Sequence, residues 1–474
     1  MPRLVAPTEY RARDLSTFGQ VQTGLTTPNS SAATATVPAD VENRVANWSS
    51  EAAILARSDG HRRKVVFLSN LLPYPLDFGG AIATESLVRA IASHSSVAMV
   101  VLSPHPCESS RLAGARKHYQ EICDSLVYHQ FTNLSPSDSA IIKAWHYLTK
   151  FPRHGFWSKQ AEEVLKQEIA RIGADVVWCN ATWDAKYLPV AKRNGCATVL
   201  TTHNVESDVL AKEPEQSPGA SWRQKIRTLD VKRLEKFGAR YADAVTAMTD
   251  LDVAYYQRLR SGRGVFLLSM TVPVQTAQPS GNAAEEPNMI CFIGSMDWPP
   301  NVWAAQHLVR NVMPLIWKVS PAAKCFLVGR NPTPAVQQLA GESVVVTGSV
   351  PSVQDYYERA SVIVVPVRDV GGIKIKMIEA MAAGKAIVTT TAGRAGLNVR
   401  DGEHVLIADD AQAFAHGVAS LLGSEARRQE LGRAARQFVQ RELAPAVAQK
   451  QVARVLAHLP LRGRTAAPRL AESI

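Results

Sequence analysis

The run from Val365 to Val388 holds the densest concentration of reactive residue types in the chain. An apolar segment, Val362 to Val367, leads into Gly371 and Gly372. Lys374 and Lys376 follow, Glu379 stands about one helical turn later, and a second apolar segment runs from Ala386 to Thr389. Strand, glycine loop, helix and strand is the order of a parallel-sheet crossover, and ligands gather at the carboxyl ends of such strands. Glycines let backbone N–H groups come close to a ligand. A helix N-terminus with two ammonium groups suits an anion such as a diphosphate. A carboxylate one turn further on suits a pair of sugar hydroxyls. Together these groups predict a site for a nucleotide-diphosphate sugar.

Other positions fit the same chemistry, each beside a plainer reading. Gly79 and Gly80 fall between an apolar segment, Val65 to Ser69, and the helical stretch Ala81 to His94. They make either a turn or a backbone approach to the diphosphate. His203 ends the apolar segment Thr198 to Thr202, at a strand's carboxyl end, where a lone histidine is either solvated or in contact with a ligand. Gly294 and Ser295 open the loop before Trp298-Pro299-Pro300-Asn301, in which Asn301 reads as the cap of a helix over 302–319. Arg330 follows the segment Lys324 to Val328. No arginine or lysine lies between Met289 and Val309, which leaves phosphate charge to Lys374 and Lys376. Glu379 sits among Met377, Ile378, Ala380 and Met381, the setting of a buried carboxylate rather than a surface ion pair.

Two series of alternating strands and helices must position these groups. The first runs over 62–272, the second over 288–441, and a Pro/Gly-rich linker at 273–287 separates them. Residues 1–61, rich in Thr, Ser, Ala and Pro, read as a disordered extension, and 461–474 as a disordered tail. At 474 residues the chain supports two full α/β domains. Its six cysteines show no C-x-x-C pair, and no apolar run approaches membrane-spanning length. The N-terminus lacks a hydrophobic signal core, so a cytoplasmic protein is expected. A net charge of +11 and a pI near 9.4 ask for an acidic partner. With no nucleic-acid-binding signature, nucleic acid is not expected, and an anionic membrane surface fits better. The stripe Trp222, Ile226, Leu229, Phe237, Tyr241 predicts an amphipathic helix that also carries Arg223, Lys225, Arg227, Lys232, Arg233, Lys236 and Arg240. No His/Asp/Glu cluster has metal-ligand spacing, so neither metal nor other cofactor is expected.

Gly372, Lys376, the run Glu379-Ala-Met-Ala-Ala-Gly384 and the segment Gly393 to Leu397 resemble the C-terminal signature of GT-B glycosyltransferases of the family 4 type. Many members carry two glutamates eight residues apart, and Gly371 occupies the first of those positions here. A related subgroup of exopolysaccharide sugar transferases has the same glycine loop with a basic residue. The resemblance implies two Rossmann-like, doubly wound domains facing a central cleft, with 442–460 forming a helix that crosses back to the first domain. It also implies retaining hexosyl transfer to a saccharide or polyprenyl-diphosphate-linked acceptor, in exopolysaccharide biosynthesis at the inner face of the plasma membrane. Carried over residue by residue, His203, Lys376 and Glu379 would be catalytic. Gly79, Gly80, Gly294, Ser295, Arg330, Gly371, Gly372 and Lys374 would bind the donor together with Lys376 and Glu379. Two other readings remain open: a non-catalytic nucleotide-sugar-binding component of an assembly complex, and a GT-B-shaped nucleotide-sugar epimerase.

Overall fold

The computed structural model describes residues 62–76, 79–131, 155–212, 220–271, 284–368 and 372–460. The expectations for 1–61 and 461–474, most of the linker and Gly371 lie outside these residues.

Seven strands form the first sheet: β1 (Lys64–Ser69), β2 (Ser96–Ser103), β3 (Ser125–Gln130), β4 (Val176–Cys179), β5 (Ala197–Thr202), β6 (Ala244–Ala247) and β7 (Val265–Leu267). Their order is β3-β2-β1-β4-β5-β6-β7, and every pair is parallel. Six more form the second: β8 (Met289–Ile293), β9 (Lys324–Val328), β10 (Val344–Gly348), β11 (Val362–Val365), β12 (Ile387–Thr389) and β13 (Leu406–Ile407). Their order is β10-β9-β8-β11-β12-β13, again parallel. Helices cover both faces of each sheet, so the central strands are continuous apolar runs and not alternating ones. Val65 through Leu68 and Met289 through Phe292 are all at most 2% exposed.

The strand order reverses between β1 and β4 in one sheet and between β8 and β11 in the other. At such reversals the crossovers diverge to opposite faces and leave a crevice beyond the strand ends. Gly79-Gly80 open the helix that follows β1, and the loops leaving β8 and β11 carry Gly294-Ser295 and Gly372. Each sheet thus presents its glycine loops at its own switch point.

The helices that frame the site are α1 (Gly79–Ala92), α2 (Glu206–Lys212), α3 (Ala220–Tyr241), α4 (Asp250–Arg260), α5 (Pro299–His307) and α6 (Ile375–Ala382). Near the C-terminus come α7 (Glu425–Glu442) and α8 (Pro445–His458). Helix α8 gives Ala448, Val452, Val455 and Leu456 to the core of the first sheet, although α7 packs with the second. Leu68, Val177 and Leu200 build the core on the other face of that first sheet.

Three expectations need correction. The helix expected over 302–319 is α5, then a wider turn at Leu308–Val312, then Met313–Trp317. Pro314 has no N–H to donate to the preceding turn, which accounts for the widening there. Asn301 does not cap α5: Trp298 does, with Pro299 and Pro300 opening the helix. In α3 the apolar stripe is split. Trp222, Ile226 and Leu229 are 58%, 51% and 60% exposed, whereas Val231, Leu234 and Ala239 face the core.

Helix α7 approaches α6 so closely that a Cβ on Gly432 would overlap the carbonyl oxygen of Gly384. Backbone, unlike a side-chain tip, cannot yield cheaply. Gly432→Ala should therefore cost about 2 kcal/mol or more in urea unfolding. An unchanged midpoint would show that α7 moves freely.

Candidate functional site

Lys376 lies in the first turn of α6, beneath the loop that leaves β8. Its Nζ donates to Asn301 Oδ1 at 2.8 Å and lies 4.3 Å from the centroid of the Phe292 ring. Gly294 closes the third side: a Cβ there would come within 2.7 Å of both Lys376 Nζ and Asn301 Nδ2. Asn301 is held in turn, because its Nδ2 donates to the Ser295 carbonyl at 2.8 Å. Burial pushes the Lys376 ammonium down to about 7, with Glu379 opposing the shift and Lys374 adding to it. A cation this poorly compensated, at a helix N-terminus, attracts an anion.

Glu379 follows Lys376 on α6 and accepts a hydrogen bond from Tyr357 Oη at 3.0 Å. Burial raises its pKa, while Tyr357 and Lys376 pull it down. Lys374 turns back and donates to the Gly372 carbonyl at 2.6 Å, which ties the loop to the helix start. Ser295 Oγ donates to Asp297 at 2.6 Å and accepts from Arg330 Nε at 3.2 Å. Gly294, Ser295, Arg330, Lys376 and Glu379 are thereby linked through Asn301 and Tyr357.

The first lobe meets this cluster at the same end. Gly79 and Gly80 are the exposed first residues of α1, and a Cβ on Gly79 would lie 3.0 Å from Ile375 Cδ1. His203 Nε2 lies 3.3 Å from Asn180 Oδ1, and Asn180 Nδ2 donates to Thr84 Oγ1 on α1 at 3.0 Å. Burial lowers the His203 pKa, which favours the neutral ring. Glu206, at the start of α2, is pushed up to about 7 by burial against a hydrogen bond from Asn204, with Glu235 and Asp252 nearby. Across the lobes, Asn398 Nδ2 donates to Asp250 at 3.2 Å.

A cleft of about 920 Å3 opens beside Gly372. Asn204, Thr249 and Tyr255 line it from the first lobe and Trp303, Arg368 and Thr390 from the second. Lys376 and Glu379 do not line it. The Arg368 guanidinium stacks 3.8 Å over the Trp303 ring, which also stacks on His307 at 4.8 Å.

Residues 287–424 match the family model described as Glycosyl transferases group 1. The matched stretch lies in the second lobe and covers less than a third of the chain. An uncharacterized 44.6 kDa protein in the cps region of Klebsiella pneumoniae is 23% identical over 160 residues, which make up 32% of this chain and 41% of that protein. The match thus spans less than half of that relative. Among solved structures, sucrose-phosphate synthase from Thermosynechococcus elongatus is 19% identical, with a TM-score of 0.61 over 83% of this chain and 98% of its own. Anabaena HepE in complex with UDP-glucose is 14% identical, with a TM-score of 0.56 over 83% and 99%. At these identities the likeness concerns the fold, which is GT-B.

Within the matched stretch, the partners Asn301 and Tyr357 escaped sequence reasoning. They stand 75 and 22 residues from the groups they serve, and no local spacing signals them. Arg368 was legible in principle, as a cation directly after the apolar segment Val362 to Val367.

Gly372 has φ +71, and a Cβ on it would overlap Asn204 Oδ1 across the lobes. Gly372→Ala should lose about 1 kcal/mol to backbone strain, plus the clash. Adding Asn204→Ala should return the steric part, so that the double variant is more stable than Gly372→Ala alone in urea unfolding. Strictly additive losses would show that the two residues do not pack.

Proposed function

We propose that the chain transfers a glycosyl group from a nucleotide-diphosphate sugar to a saccharide or polyprenyl-diphosphate-linked acceptor, with retention of configuration, in cell-surface polysaccharide assembly. The observation that carries this reading is the half-buried Lys376 ammonium, set between the Gly294 backbone, Asn301 and the N-terminus of α6 inside the stretch that matches the group 1 glycosyltransferase model. Retention rests on the resemblance of the Glu379–Gly384 run. The polysaccharide role draws on the same resemblance, and one relative is encoded in a cps region.

In this reading the donor diphosphate lies against Lys376 and the glycine loops. The N-termini of α1 and α6 converge on it from the two lobes. As the bond from the anomeric carbon to the diphosphate oxygen breaks, negative charge builds on the leaving group, and these fixed donors stabilise it. Glu379, oriented by Tyr357, accepts the ribose hydroxyls. His203, neutral and fixed by Asn180, hydrogen-bonds the transferred sugar. The acceptor enters the cleft beside Gly372, where closure of the lobes excludes water and limits donor hydrolysis. Leaving-group charge is met by lysine and helix termini, and no divalent cation is needed.

Labelled nucleotide sugars incubated with the protein and a membrane lipid extract test the reading. Transfer to lipid or saccharide is expected, unchanged by chelator. Conversion of free donor alone would favour an epimerase, and binding without turnover a non-catalytic component. Lys376→Ala should lower the transfer rate by about 100-fold or more. Glu379→Ala should weaken donor binding by about tenfold, and unchanged affinity would refute the ribose role.

Titration of Lys376 near 7 makes donor binding pH-dependent. The diphosphate of a nucleotide sugar binds the ammonium form. Affinity should therefore be level below that pH and fall by about tenfold per unit above it. Lys376→Arg, which stays charged, should flatten the profile. A wild-type affinity that stays level through this window would remove Lys376 from the diphosphate.

A further inference from the structure

The outward face of α3 combines two properties that rarely coexist on a solvated helix. Trp222, Ile226 and Leu229 stand exposed at spacings of four and three, on one stripe of the helix. Continuing along that stripe, Arg233, Lys236 and Arg240 are exposed, with Lys225 beside Ile226. The two carboxylates of the helix are elsewhere: Asp230 and Glu235 are 5% and 0% exposed, on the inward side. The face is therefore apolar at one end, cationic along the rest and free of acidic side chains. A surface that served solubility alone would mix both signs and would not gather three large apolar groups.

We propose that this face of α3 docks on an anionic lipid bilayer, with Trp222, Ile226 and Leu229 entering the headgroup region and Lys225, Arg233, Lys236 and Arg240 meeting lipid phosphates. A bilayer interface offers the apolar depth that the first group needs and the negative potential that the second needs. Among the described residues no helix is long and apolar enough to cross a membrane, so attachment by a surface helix is of the right kind. The position also serves the cleft. Helix α2 begins three residues after His203 and packs antiparallel to α3: Ser207 meets Glu235 at 3.0 Å, and Leu210 meets Gln224 at 2.7 Å. The docking helix is thus braced on the segment that leaves the carboxyl end of β5. A lipid-borne acceptor would arrive on the side of the first lobe that holds this helix pair. Binding to lipid is read without donor or acceptor, so its failure is distinct from failure of the glycosyltransferase reading.

The test is co-sedimentation of the full chain with vesicles containing phosphatidylglycerol and with vesicles of phosphatidylcholine alone. Binding only to the anionic vesicles, weakened by high salt, is expected. Trp222→Ser/Ile226→Ser/Leu229→Ser should reduce partitioning by about tenfold or more while leaving thermal unfolding unchanged, because all three side chains are exposed. Lys225→Glu/Arg233→Glu/Lys236→Glu/Arg240→Glu should do the same. As an independent reading, lipids brominated on the acyl chain should quench the fluorescence of the wild type more than that of Trp222→Phe. Equal partitioning of variants and wild type, or equal quenching, would overturn the proposal. So would self-association, or retention by a polynucleotide, that the apolar variant abolishes in the absence of any vesicle binding.

Discussion

An ammonium group withdrawn from water needs either a counter-charge or a dense set of acceptors. Lys376 has one amide oxygen, the face of an aromatic ring and a carboxylate one turn away, which leaves its pKa near 7. Much of the second lobe around it follows from making room. Gly294 lacks a side chain because the lysine tip and the Asn301 amide fill that space. Gly329, at the end of β9, has φ +149, and a Cβ there would overlap the Gly294 carbonyl oxygen. That second exclusion comes from backbone, since any residue at 294 would carry the same carbonyl. The cation and its amide partner thus exclude a side chain at the end of β8, and the β8 carbonyl in turn excludes one at the end of β9.

The lobes meet through Gly79 against Ile375, Gly372 against Asn204 and Asn398 against Asp250, and Ala83, Met248 and Met270 of the first lobe join the apolar cluster of the second. The polar contacts contribute little beside these apolar ones. Helix α8 adds an attachment away from the cleft, its apolar face sunk in the first lobe's core while α7, just before it, packs on the second. The glycines at the meeting points let the backbones approach without wedging the cleft apart.

The fold was legible because buried parallel strands are written as unbroken apolar runs, as at β1, β5, β9, β11 and β12. The edge strands β3, β7 and β13 are harder to read, because burial there is partial and the pattern fades. At the site, the glycine loop with Lys376 and Glu379 could be read because its members are neighbours in sequence. Asn301 and Tyr357 could not, since their roles come from tertiary approach between α5, α6 and the helix Gln354–Arg359. The α3 stripe illustrates a different limit. Helical spacing shows that Trp222, Ile226 and Leu229 share a face but cannot say which face the sheet covers. Here Val231, Leu234 and Ala239 take the core, and the stripe is left outside.

That reversal bears on the net charge of +11. A basic total by itself says only that an acidic partner is plausible. Its distribution says more, because the cations are in two different physical states. Lys376 is half-buried, poorly solvated and geometrically fixed, suited to one small anion at a defined point. Lys225, Arg233, Lys236 and Arg240 are exposed, hydrated and spread along some 20 Å of helix, as expected from about 1.5 Å of rise per residue. Such a row has no means of selecting a small ligand, but its attraction sums over an extended charged plane. In the proposals made above, the first set meets a compact diphosphate and the second a broad anionic surface. The exposed apolar end of α3 distinguishes a bilayer from a merely acidic polymer as that surface, because a polymer of phosphates has no interior for Trp222 to enter.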